Sequence, residues 1–378
     1  MNILAIETSC DETAVSVISS KNDVLSVQSN IVSSQVELHA KWGGVVPNLA
    51  AREHTKNILP VLSEALGDAK KTHKDIDLIA VTQGPGLIPA LLIGTNAAKS
   101  LAYAWQKPLL GLHHIEGHIY ANWIDQSKNK QFPILALVVS GGHTQLVLMK
   151  EHCHYEIIGQ TQDDAVGEAF DKAARLLRLP YPGGPAISAA AEKYEKRISK
   201  KENEATDNPN KLSPNAYDLK LPRPMLHSGD YNFSFSGIKT AVLYTVRKYE
   251  KEHNLTTKDP LPENFVQVVA LEFQNAVTEV LIKKTLRAAQ EYGAQTILLA
   301  GGVSANIQLR DELATAIRTE MPAVTFSVPP FEYCLDNAAM IAAAASFRWN
   351  KMTDTQKKEV NNGWLTVLAD SNLKMTSL

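Results

Sequence analysis

Apolar and polar positions fall into two series of the same order. Ile3 to Ile6, Ala14 to Ile18 and Val24 to Val32 are apolar or alternating runs separated by polar turns, which predicts three strands. Helical spacing follows from about Asn48 to Leu66. A buried strand, Leu78 to Thr82, meets Gly84-Pro85-Gly86; an apolar helix then runs from about Pro89 to Trp105, with its proline near the first turn, where a missing N–H costs little. Leu109 to Leu112 is a further short strand, and His114 onward reads as helix. The order then restarts. Ile134 to Val139, Gln145 to Met149 and Tyr155 to Gly159 read as strands, with helices at about Val166 to Leu177, Gly237 to Glu250 and Pro262 to Glu291. Thr296 to Ala300 is a strand, followed by Gly301-Gly302 and a helix from Ser304. The pattern predicts an α/β chain made of a duplicated unit with a cleft between the copies. The first lobe spans 1–131, with 334–378 packing back on it, and the second spans 132–333.

Composition narrows the picture. The chain has 378 residues, 44% hydrophobic and 21% charged, as expected of a globular protein with a sizeable core. Its net charge of −2 announces no broad basic field, so any nucleic acid must be met by a local patch. Cys10, Cys153 and Cys334 form no C-x-x-C pair and suit a reducing compartment. The start reads directly as a buried strand without a signal or transit pattern, and runs such as Ile134 to Val139 are too short to span a bilayer, which takes about 20 residues. A cytoplasmic protein with no membrane association is the expectation. Glu192 to Lys211 holds six basic and five acidic residues, and Pro214, Pro222 and Pro224 follow. The stretch near 192–230 therefore reads as an irregular charged insertion, either a plain surface loop or a nucleic-acid contact.

The sharpest local signal is His114-Ile115-Glu116-Gly117-His118. Histidines at i and i+4 share a helix face about 5–6 Å apart, so both imidazoles reach one cation. Glu116 points off that face and is poorly placed to activate a metal-bound water, which argues against a zinc protease. His113 also points elsewhere and reads as structural. Asp336, just before the apolar run Ala338 to Ala345, is the best third ligand, although a carboxylate there also suits a helix N-terminus. His152-Cys153-His154 lies between two strands and reads as a hairpin tip rather than a metal site. Gly-rich turns at Ser140 to Thr144, Tyr181 to Pro185 and Gly301 to Asn306 allow close approach to phosphate or ribose. None is a P-loop or Rossmann fingerprint. Glu7 to Thr13 places acidic residues at the first strand–turn–strand, with Asp11 or Glu12 facing the cleft.

Together these motifs resemble the TsaD family of tRNA threonylcarbamoyl transferases over nearly the whole chain. The resemblance takes in Glu7 to Thr13, Gly43 to Pro47 with Ala51 to His54, Gly84 to Leu87, His114 to His118 and Ser140 to Thr144. It continues through Gly167 to Lys172, Pro182 to Pro185, Phe233 to Thr240, Gly301 to Asn306 and the Asp336 region. It implies the two-lobed actin-like fold of sugar kinases and heat-shock ATPases, built from duplicated RNase H-like domains. It implies one divalent metal ion, iron or zinc, on His114, His118 and Asp336. Val138, Val139, Ser140, Gly141, Gly142, Asp171, Gly184 and Asn306 would bind threonylcarbamoyl-adenylate. The group would pass to the exocyclic amine of the adenosine 3′ to the anticodon, in tRNAs reading codons that begin with A, releasing AMP. Asp11, Glu12 and His143 are the unranked candidates for proton removal or donor orientation. The implied partners are tRNA, a catalytically silent paralogue forming a heterodimer, and a small ATPase. One departure is Ser188, where many bacterial members carry aspartate. The competing readings are an actin-like small-molecule kinase, a carbamoyl transferase acting on a small-molecule hydroxyl, and a non-enzymatic scaffold like the silent paralogue; the paired histidines argue against the last.

Overall fold

The computed structural model describes residues 1–124, 130–204 and 219–378. β1 (Asn2–Glu7), β2 (Glu12–Lys21) and β3 (Val24–Ser34) form an antiparallel meander. Helices α1 (Val36–Ala40) and α2 (Pro47–Asp68) follow. β4 (Leu78–Gly84) then pairs in parallel with β1, and β5 (Leu109–His113) with β4, joined by α3 (Ile88–Trp105). After α4 (His114–Tyr120) the scheme repeats. β6 (Ile134–Val139), β7 (Thr144–Glu151) and β8 (His154–Gln160) form the second meander, and β9 (Thr296–Ala300) and β10 (Thr325–Ser327) extend it in parallel. The sheets run β3-β2-β1-β4-β5 and β8-β7-β6-β9-β10, the same order twice. Between β8 and β9 lie α5 (Val166–Leu176), α6 (Gly183–Glu204), α7 (Ser236–Glu252) and α8 (Glu263–Glu291). α9 (Ile307–Glu320) links β9 to β10, and α10 (Ala338–Lys351), α11 (Asp354–Val360) and α12 (Gly363–Thr366) close the chain.

The two-residue period of the strands decides the layering. Leu4, Ile6, Val15, Val17, Ile79 and Val81 face a core shared with α2 and α3. Their neighbours Ile3, Ala5, Ala14, Leu78 and Ala80 face the other way, into a core that also holds α4 and α10. β6 divides likewise. Ile134, Ala136 and Val138 join that middle core, while Leu135, Leu137 and Val139 meet α5, α7 and α8 on the far side. α4 and α10 are therefore sandwiched between the two sheets. The fit needs small residues: Ala338, Ala339 and Ala342 to Ala345 are fully buried, and a Cβ on Gly117 of α4 would come within 2.7 Å of Ile341 Cδ1.

Two sequence expectations are corrected. The stretch from Glu192 was expected to be irregular, but α6 runs unbroken from Gly183 to Glu204. Ile187, Ala190, Ala191 and Tyr194 form a buried stripe at helical spacing, and the charges of Glu192, Lys193 and Lys196 occupy the open face. Residues 205–218 of the expected insertion lie outside the described residues. The helix expected from Ser304 begins instead at Ile307, after a 3₁₀ turn, because the Asn306 side chain caps it by accepting from Leu309 N at 2.9 Å. α8 is long and apolar enough to cross a membrane by length and composition, but most of that stretch is buried in the core.

Phe273 of α8 is fully buried and meets Phe170 of α5 edge to face, ring centroids 5.1 Å apart. Phe273→Ala is expected to remove ~3–5 kcal/mol of unfolding free energy through the cavity it leaves, read by urea denaturation against the parent chain.

Candidate active site

The first hairpin turn of each sheet lies at the same place in its copy: Thr8 to Asp11 between β1 and β2, and Ser140 to His143 between β6 and β7. The C-terminal ends of β4, β5 and β9 open on the same side as β1 and β6, since all three run parallel to one of them. Open α/β sheets place ligands at such ends. Here they bring α4, the Gly301 turn and both hairpins together.

α4 begins directly at the end of β5, so its first residue is fixed by the sheet. His113 caps it, its Nδ1 accepting from Ile115 N at 3.2 Å, while its Nε2 lies 3.0 Å from Leu373 O. His114 and His118 project from one face, ring centroids 4.6 Å apart. His114 Nε2 and His118 Nε2 lie 3.5 Å and 3.1 Å from Asp336 Oδ1. The three ligand atoms fall within 4.8 Å of one another, so these residues could hold one cation. Neither His118 ring nitrogen completes a hydrogen bond, despite full burial. Its Nε2 is near Asp336 without being aligned with it, as expected of donors aimed at a common point rather than at each other. His114 Nδ1 lies 3.2 Å from both Glu7 Oε2 and Ser9 Oγ, which turns Nε2 toward Asp336. Burial draws the His114 imidazole down, but the carboxylates of Asp336 and Glu7 outweigh it and lift it to about 9. Burial pushes Asp336 up, and His114 and His118 outweigh that to bring it to about 2. A divalent cation bound there would displace the His114 proton and keep the Asp336 carboxylate as a ligand.

The second hairpin supplies a different surface. Gly141, Gly142 and Gly184 each have open space where a Cβ would stand. Within the hairpin, Gly141 and Gly142 are exposed while Ser140 is buried and His143 half-buried. Ser140 and His143 close the turn through Ser140 N to His143 O at 2.8 Å and His143 N to Ser140 Oγ at 3.1 Å. Gly167 N donates to Ser140 O at 3.1 Å. Val138 and Val139 are wholly buried in the sheet and offer no exposed side chain. Asp171 Oδ1 accepts from Gly183 N at 2.7 Å, holding the third turn against α5. Asn306 is already engaged: besides its cap, its Nδ2 donates to Ser188 Oγ at 3.0 Å and Gln274 Oε1 at 2.9 Å. Ser188 in turn donates to Gln274 Oε1 at 2.7 Å. These three side chains form a polar cluster that continues through Gln274 to Gln308.

The acidic hairpin and the metal-type cluster share one field. Burial pushes Glu12 well up, with Asp11 and Asp336 adding to it. Burial also pushes Asp171 up, and Asp11 contributes. His143 is lowered to about 4 by burial, then by His114 and His118. Burial, then the charges of Asp11 and Asp171, push the Tyr181 phenol well up, so it stays neutral. The structure thus gathers Asp11, Glu12, His143, Asp171 and the His114–His118–Asp336 set around one cleft. Two contributors were not singled out from the sequence. Glu7 is fully buried and positions His114; its one local signal was a charge ending an otherwise apolar strand. His54 holds the hairpin through Thr13 Oγ1 at 2.7 Å and Cys10 O at 3.0 Å, contacts that no local pattern reveals.

A family model described as TsaD, tRNA N6-adenosine threonylcarbamoyltransferase, matches residues 26–343. The tRNA N6-adenosine threonylcarbamoyltransferase of Bacillus subtilis (strain 168) is 48% identical over 353 residues, covering 93% of this chain and 91% of that protein. The protein of the same name from Thermomicrobium roseum is 48% identical over 363 residues, covering 92% of each. Among solved structures, T. kodakarensis HypF is 12% identical with a TM-score of 0.50, covering 92% of this chain and 48% of that one. That likeness concerns fold, and with the repeated sheets it gives the two-lobed actin-like architecture.

The glycines separate two kinds of constraint. Gly301 has φ +87°, and a Cβ there would come within 2.4 Å of Val139 O. Gly301→Ala is expected to cost ~1–3 kcal/mol, whereas Gly142→Ala should stay within about 0.5 kcal/mol of the parent. Thermal and denaturant unfolding of the two variants checks the contrast.

Proposed function

The chain belongs to the TsaD family of tRNA N6-adenosine threonylcarbamoyltransferases, and from that membership we infer that its cleft holds threonylcarbamoyl-adenylate beside a divalent cation. The protein transfers a threonylcarbamoyl group to the N6 amine of an adenosine in tRNA. The observation that carries the inference is a buried His114–His118–Asp336 set whose histidines lie in electrostatic range of His143, on the hairpin of open glycines.

His114, His118 and Asp336 are the residues that would hold iron or zinc, and the incompletely bonded His118 Nε2 fits that donor set. When bound, the ion supplies Lewis acidity and a template for donor oxygens. The backbone N–H groups around Gly141 and Gly142 approach the adenylate phosphate where no side chain intervenes. Asp171 and Gly184 flank the ribose, and the Asn306–Ser188–Gln274 cluster forms a wall beside it. The acceptor is the adenosine 3′ to the anticodon, whose loop can present an unstacked base. Its amine is a weak nucleophile, since its lone pair is delocalised into the ring, so positioning and proton removal matter most. N6 attacks the carbamoyl carbon, the bond from that carbon to the phosphate oxygen breaks, and AMP leaves with the electron pair. The N6 proton must go to a base. Asp11, Glu12 and His143 are the candidates to take it or to orient the donor, with burial raising the proton affinity of Glu12 and lowering that of His143. The silent paralogue and the small ATPase implied by the family belong to the same proposal.

Incubation of unmodified tRNA with threonylcarbamoyl-adenylate, metal, partner proteins and this chain, followed by nucleoside mass spectrometry, is expected to yield threonylcarbamoyladenosine. His118→Ala should lose bound metal and at least about 100-fold of the transfer rate together. A metal-free His118→Ala that remains fully active would exclude the metal reading. Gly142→Ala should fold normally and bind AMP more weakly in calorimetry.

A further inference from the structure

The ligand set just proposed comes from two helices: α4 carries His114 and His118, and Asp336 stands two residues ahead of α10. A cation site tolerates ligand displacements of only about 0.2 Å. α4 is seven residues long, so it cannot hold its own orientation. Rotating it by about 10° would move a ring nitrogen by roughly 1 Å, given the reach of a helical side chain. Something must fasten the back of α4 to α10.

Glu116 stands two residues after His114 and so, at 100° per residue, on the opposite face of α4. It is fully buried. Its Oε1 accepts from Arg348 Nε at 3.0 Å and from Tyr155 Oη at 2.7 Å. Arg348 lies on α10, the helix that Asp336 precedes, and Tyr155 on β8 of the second sheet. Arg348 also donates from Nη2 to Thr376 O at 3.0 Å. Gly117, the next residue on α4, packs directly against Ile341 and Met340 of α10. One carboxylate therefore ties together the helix bearing two ligands, the helix behind the third, and the opposing sheet. A buried ion pair is weak evidence of stabilisation as such, and setting register is its best-attested use.

We propose that Glu116 and Arg348 are positioning residues of the cation site, fixing the rotation of α4 relative to α10 so that His114, His118 and Asp336 converge. The proposal rests on the metal reading of those three residues. Neither residue touches substrate or ion; both act through the helices. The glutamate that is misplaced for water activation in a protease is thereby given a different task.

Zn²⁺ and Co²⁺ affinities of the full chain, measured by competition with a chromophoric chelator, test this. Glu116→Gln and Arg348→Lys keep size and some hydrogen bonding but break the paired geometry. Both are expected to bind ~10–100-fold more weakly, with an altered visible spectrum of the Co²⁺ form. A merely structural role would lower the melting temperature and leave the spectrum and affinity of the folded fraction unchanged. Binding of both ions by both variants within about twofold of the parent would overturn the proposal. If Glu116→Gln does not fold, Arg348→Lys decides, since its charge stays in place. His118→Ala is run in parallel: if it binds the ions undiminished, the metal reading fails first, whereas loss in His118→Ala with none in Glu116→Gln and Arg348→Lys refutes the positioning role alone.

Discussion

Two imidazoles on a two-turn helix must reach one point from inside a packed layer, and most of the molecule answers to that constraint. The layer is closed above and below by a sheet, so α4 and α10 have no freedom to be bulky. Alanines fill α10 and a glycine sits in α4 where the helices touch. The strand pattern of the sheets produces the layer in the first place. Because side chains alternate, each sheet has one face for its own outer helices and one for the shared interior. His114, His118 and Asp336 then stand at the strand ends, where open α/β sheets place ligands.

Charge in this interior is handled by pairing rather than avoidance. Glu7 meets His114, Asp336 meets both histidines, and Glu116 meets Arg348. Each carboxylate would be costly alone in such surroundings. Together they make a low-dielectric site with its charges already in place, which suits a reaction whose nucleophile is poor and whose leaving group is anionic.

Much of this was legible in the sequence because it is written at short range. The paired histidines follow from helix spacing, the strands from two-residue alternation, and the order of elements from their succession. The hairpin tip expected at His152 to His154 falls at His152 and Cys153, between β7 and β8, with His154 opening β8. Signals that depend on distant partners were not legible. From Glu192 onward α6 reads as a charged insertion because its charges outnumber its buried stripe, and only contact with α5 and α8 makes that stripe decisive. The Asn306–Ser188–Gln274 cluster joins Ser188 to positions 86 and 118 residues away. Glu7 and Asp336 are separated by most of the chain, and nothing local indicates that they flank the same imidazole.

The duplicated frame has a consequence of its own. At the same turn of the repeated unit, one copy carries carboxylates and the other carries glycines: Glu7, Asp11 and Glu12 in the first, Gly141 and Gly142 in the second. The backbone is close to symmetric and the chemistry is not. One half is negative and gathers positive charge; the other presents bare amide and leaves room for an anion. A dimer of either half alone would repeat one chemistry and lack the other. The two copies therefore share one frame and divide the chemistry of the turn between them.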